Sequence, residues 1–197
     1  YDFDTPNFYT KFAQGKLNYL IGVNYFQDFF EAYISQNRSI KEQVLNLSAP
    51  EKQKLFNYLL NNIKPENRAY LYDFFYDNCA TKIKDVLNQS TSNAILFNPP
   101  KDFKPQTFRT LIQDKLDWNS WGSLGIDIAL GSVIDRNATA EEHMFLPKYL
   151  HQLLENAHLK TDDSRLVTAS KTLNPSDFIK KNNFFISPLF VLGILAI

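Results

Sequence analysis

Apolar residues recur at helical spacing behind Ser48, where Leu55, Leu59, Leu60 and Ile63 follow an S-x-x-E capping box of Ser48 and Glu51. That pattern predicts a helix. The same spacing returns in Ile83, Val86 and Leu87, with Asp77 or Asn78 as N-cap. It returns again in Met144, Phe145, Leu150, Leu153 and Leu154 behind a second box, Thr139 with Glu142. Pro147 falls inside this last pattern and should bend or divide it. Shorter helices are predicted between Asp4 or Thr5 and Gly15, over FQDFFEAYIS, from Pro105 through PQTFRTLIQDKL, and between Trp118 and Leu130. KLNYLIGVNYF, RSIKEQVLNL, RAYLYDFFY and SRLVTASKTL read as strands, KPEN as a turn, and SNAILFNPPKDFKP as a proline-punctuated loop. No internal repeat or low-complexity segment is present.

Composition narrows the function classes more than the fold. The chain has 197 residues, 44% hydrophobic and 21% charged, enough for a sizeable core. Its 21 Lys and Arg balance 21 Asp and Glu, and no basic cluster exceeds a pair, which argues against nucleic acid as a partner. Seventeen Phe and ten Tyr suit a thick core or a lipid-facing groove. The first residue is Tyr1, so any export signal is expected upstream of it. The run FFISPLFVLGILAI, Phe184 to Ile197, reads as the start of a transmembrane helix or as a C-terminal core element.

One cysteine excludes a disulfide framework and a thiolate metal cluster. Cys79 falls where an aromatic strand pattern turns into a helix, in the first helical turn. There the positive end of the helix dipole favours a thiolate, and the free N–H groups of residues 78 to 80 could hold an oxyanion. A small buried thiol is the competing reading. A nucleophilic cysteine needs a base, and the chain offers His143, His151 and His158, which otherwise read as surface histidines. No H-x-x-x-H pair exists, the glycines of WGSLGIDIALG follow no strand, and there is no G-x-S-x-G elbow. Metal, phosphate-loop and serine-hydrolase chemistry therefore have no support, and no cofactor is expected.

The blocks YDFDTPNFYTKFAQGKLNYLIGV, NRSIKEQVLNLS, YDFFYDNCATKIKDVL, GIDIALGSVIDRNAT and EEHMFLPKYL, in this order from Tyr1 to about Leu154, resemble the Lnb N-terminal periplasmic domain family. Asn-Cys-Ala-Thr is the most diagnostic block. The resemblance implies an α+β fold of the permuted papain-like (NlpC-type) kind, helix-rich with a small antiparallel sheet, whose N-terminal strands lie upstream of Tyr1. It implies three segments: a periplasmic domain over 1–160, a strand and connection over 161–183, and the start of a membrane helix over 184–197.

The family's namesake is a lipoprotein intramolecular transacylase. That implies Cys79 as acyl-accepting nucleophile, with Asn78 and Tyr76 supporting it, lipid or lipoprotein acyl chains as partners, and a membrane-anchored periplasmic location. The family's base belongs to a Gly-His motif that no residue here matches, so the chain from Tyr1 onward is expected to be inactive by itself. Arg38, Gln43 and Lys16 also match family blocks, where an ion pair or core hydrogen bond explains them as well as substrate does. The alternatives are a cysteine peptidase or amidase acting on cell-wall peptide, and a membrane-anchored binding domain with an inert buried Cys79.

Overall fold

In the computed structural model the described residues are 6–7, 11, 14–92, 94–117, 119–176 and 186–195. In chain order the elements are β1 (Asn18–Leu20), α1 (Phe26–Ser35), β2 (Ile40–Leu45), α2 (Ala49–Asn62), β3 (Ala69–Leu71), α3 (Cys79–Ser90), β4 (Ile95–Leu96), α4 (Phe108–Gln113), α5 (Trp121–Leu130), α6 (Pro147–Glu155), β5 (His158–Leu159), β6 (Val167–Asn174) and α7 (Pro188–Leu195). Two 3-10 turns, Gly131–Asp135 and Glu142–Phe145, complete them. The fold is α+β. Among the described residues the strands form three two-stranded antiparallel pairs, β1–β3, β2–β6 and β4–β5, rather than one small sheet.

The chain forms two compact units, one of residues 1–103 with 141–176 and one of 104–140 with 177–197. All six strands belong to the first. Its core comprises Leu17, Leu87, Met144, Leu153, Leu166 and their neighbours, all under 9% exposed. The α2 cap forms as its sequence predicts, with Glu51 accepting hydrogen bonds from the Ser48 amide and hydroxyl at 2.8 and 2.7 Å. Pro147 divides the downstream pattern, ending a 3-10 turn at Phe145 and starting α6. The longest ladder joins β2 to β6, with Gln43 opposite Ser170.

In the second unit Arg109 of α4 ties three elements together. Its guanidinium donates to Asp135, Asp127 and the Gly131 carbonyl, each at 2.6 Å. Gly131 ends α5 with φ at 58°, a conformation that costs glycine little.

Several local expectations change. The strand RAYLYDFFY stops at Leu71, because the Asp73 carboxylate accepts the amides of Phe75 and Tyr76 and closes a turn across Asp73–Asp77. KLNYLIGVNYF keeps three strand residues. Thr107, whose hydroxyl accepts the Thr110 amide, starts α4 two residues after Pro105. SNAILFNPPKDFKP contains the short strand β4. The helix expected before Gly15 lies mostly outside the described residues, as does part of the apolar C-terminal run. Among the described residues no helix is long and apolar enough to cross a membrane, and α7 has eight residues.

Candidate functional site

The turn that ends β3 delivers Asn78 as the cap of α3, and every polar atom of its side chain is used. Oδ1 accepts the amides of Ala80 at 2.8 Å and Thr81 at 3.0 Å. Nδ2 donates to the carbonyls of Phe74 and Phe145, both at 2.9 Å. The Asn78 amide donates to Thr81 Oγ1 at 2.8 Å, completing a reciprocal box. Asn78 is 4% exposed, so all these bonds are shielded from water. Phe75 packs on Phe145 at 5.4 Å between ring centroids, which holds the turn against the same segment.

Cys79 is therefore the first residue of a rigidly capped helix, and it is exposed. This corrects the buried reading of the thiol. It also corrects the expected oxyanion site: the amides of Asn78 and Ala80 are engaged, leaving that of Cys79 without an acceptor among the described residues.

Cys79 opens on a cavity of about 1070 Å³ within the first unit. Alternate residues of β2, Lys41, Gln43 and Leu45, supply one wall, as the two-residue period of a strand requires. On α2 the wall is Leu55, Tyr58, Leu59 and Asn62; on α3 it is Cys79, Lys82, Ile83 and Val86. Both sets follow the spacing i, i+3, i+4, i+7 of one helix face. The apolar stripes of α2 and α3 thus largely face the groove: α2 has no buried residue, and Leu59 and Ile83 are 40% and 50% exposed.

The three histidines separate. His143, expected at the surface, is fully buried, edge-on to Phe103 and Tyr149 at 4.8 and 5.0 Å. His158 sits on β5, 3.5 Å from the Asn98 amide nitrogen. His151 lines the groove with Cys79, and burial, with the nearby Lys41 charge, holds its imidazole below its ordinary pKa, partly opposed by Glu155. Glu155 is held below the usual carboxylate range by hydrogen bonds from the Ser170 hydroxyl and then from Gln43. Gln43 also donates to the His151 carbonyl at 3.0 Å, so it positions α6 on β2 as well as facing the groove.

The other expected residues fall away from the groove. Tyr76, expected beside Cys79, is 56% exposed on the Asp73–Asp77 turn and does not line the groove. Arg38 stacks on Tyr33 at 4.1 Å, and Lys16 is exposed. Lys41, Arg68 and Lys148 were not singled out in the sequence, although the alternation of Lys41, Gln43 and Leu45 along β2 was a usable signal.

Two outcomes follow. Asn78→Ala removes a cap worth about 1 kcal/mol and leaves two carbonyls without their donor, so urea unfolding should show a loss of about 2–4 kcal/mol. An unchanged midpoint would contradict the cap. For His151 the folded-state pKa is depressed, so its neutral form favours folding. Its contribution is complete above the ordinary value of 6.5 and is lost as pH falls through 6.5 toward the lowered value. The difference in stability between the parent and His151→Asn should therefore shrink from pH 7.5 to about 5. A difference that is constant or grows on acidification would be the opposite sign.

The model of the Lnb N-terminal periplasmic domain family matches residues 2–114, which takes in β1 to α4 and the Asn78-Cys79 cap. No curated protein and no solved structure matches the chain. The match covers more than half of the sequence and includes the turn, the cap and three of the groove walls, and the chain belongs to the Lnb N-terminal periplasmic domain family.

Proposed function

We propose that the protein carries out cysteine-dependent acyl transfer on lipids or lipoproteins in the periplasm, through a thioester on Cys79. The observation that carries this reading is an exposed thiol on a fixed helix terminus, opening on a large groove walled by leucine, isoleucine and valine. Such a groove suits an acyl chain, which on entering it would shield a thioester from water. The permuted papain-like architecture belongs to the same proposal, supported by a cysteine heading a helix in an α+β unit. A membrane tether through the segment Phe184–Ile197 is proposed on its apolar composition alone.

In the first half-reaction a base removes the Cys79 proton and the sulfur attacks the carbonyl carbon of a fatty ester. A carbon–sulfur bond forms, the ester carbon–oxygen bond breaks, and the departing alkoxide takes the proton back from the base. The Cys79 amide is the backbone donor placed to meet the oxyanion. In the second half-reaction an amine or hydroxyl attacks the thioester, an amide or ester forms, the carbon–sulfur bond breaks, and the departing thiolate receives the nucleophile's proton through the base. His151 is the histidine of this chain that lines the groove, and its lowered pKa keeps it neutral and able to accept a proton. The family resemblance assigns the base instead to a Gly-His motif, so His151→Asn separates the two sources.

A cysteine peptidase or amidase is the second reading, on the same nucleophile. Peptide recognition draws on polar backbone partners, and the mainly apolar surface of the groove favours the acyl chain. The test is the intact mass of the full-length protein incubated in detergent with phospholipid and a diacylated lipopeptide, beside Cys79→Ala. The expected result is a fatty-acyl adduct that maps to Cys79 and disappears in the variant. An unmodified Cys79 with lipids left unchanged would count against acyl transfer, and cleavage of a cell-wall peptide would replace it with the amidase.

A further inference from the structure

Four cationic side chains line the Cys79 groove, Lys41 on β2, Arg68 before β3, Lys82 on α3 and Lys148 on α6, and no aspartate or glutamate is among its lining residues. In a chain whose formal charges cancel, this concentrates positive charge at one site. The four are not equivalent. Lys82 is 2.7 Å from Asp77 and lies over the Tyr70 ring, and Lys148 lies over Tyr149. Lys41 and Arg68 are exposed and form no ion pair among the described residues. Glu42, the acidic neighbour of Lys41 on β2, points to Lys171 at 3.0 Å, and Glu155 is taken by Gln43 and Ser170.

Long basic side chains at the rim of an aliphatic groove keep their charges in water while their stems border the apolar wall. That arrangement matches a molecule with hydrocarbon chains and an anionic head. We infer that the groove selects lipids with a negatively charged phosphodiester headgroup, with Arg68 and Lys41 as the residues that set the selection. Arg68 offers a planar fork of donors to two phosphate oxygens, and Lys41 a point charge lining the same groove. The inference rests on the acyl-transfer reading for the presence of a lipid in the groove, and adds which lipid.

The test measures binding without turnover, in the full-length protein carrying Cys79→Ala. It is titrated calorimetrically with monomeric dihexanoyl phosphatidylglycerol, dihexanoyl phosphatidylcholine and glycerol phosphate. The anionic lipid should bind about 10-fold more tightly than the zwitterionic one, and Lys41→Gln with Arg68→Gln should erase that difference at an unchanged melting temperature. The preference should also weaken from about 0.05 to 0.5 M salt in the protein with both cations intact.

Equal affinity for the two lipids, a preference that survives the double substitution, or one indifferent to salt overturns the charge selection and leaves acyl transfer standing. Glycerol phosphate binding as tightly as the lipid assigns the cations to a free phosphate ligand and overturns the lipid assignment. Failure of both lipids to bind removes the groove as a lipid site, and with it both proposals.

Discussion

The site depends on the hydrogen bonds of one buried amide side chain. Asn78 caps α3 with its oxygen and fastens the cap with its nitrogen to Phe145, 67 residues downstream. Without the first function the helix that presents Cys79 would start with unsatisfied amides; without the second it would not be registered against the segment that leads into α6. Aspartate could supply the oxygens of a cap, but it has no N–H to give to the Phe74 and Phe145 carbonyls. The cap therefore sets both the position of the thiol and the placement of one groove wall.

The same cap decides what the backbone can do chemically. A helix N-terminus normally offers several amides, and here Asn78 and Thr81 consume those of residues 78, 80 and 81 among themselves. What remains beside the sulfur is the amide of Cys79 itself. Rigidity at this point and openness of the groove next to it are complementary: the polar atoms that could move are tied down, and the apolar surface left exposed is what an acyl chain would cover.

Much of this was legible locally. The S-x-x-E box of α2, the division at Pro147, and the strands at β2 and β6 follow from short-range pattern and proline geometry. The placement of Cys79 in a first turn followed from the polar residues before it. The choice between Asp77 and Asn78 as cap did not, because it is settled by a partner 67 residues away. The periodic apolar residues of α2 and α3 gave the correct helices but not their destination, since a 3.6-residue stripe looks the same whether it faces a core or a groove. The turn at Asp73–Asp77 was hidden by the strand preference of Phe74, Phe75 and Tyr76, which a single carboxylate overrides by accepting two amides.

Asn78 occupies the amides of Ala80 and Thr81 and leaves that of Cys79 free. Amide hydrogen exchange of the folded protein, followed by NMR at these three residues, tests it most directly. Strong protection of Ala80 and Thr81 together with fast exchange at Cys79 is the expected result. Equal protection at all three, or fast exchange at Ala80 and Thr81, would contradict it.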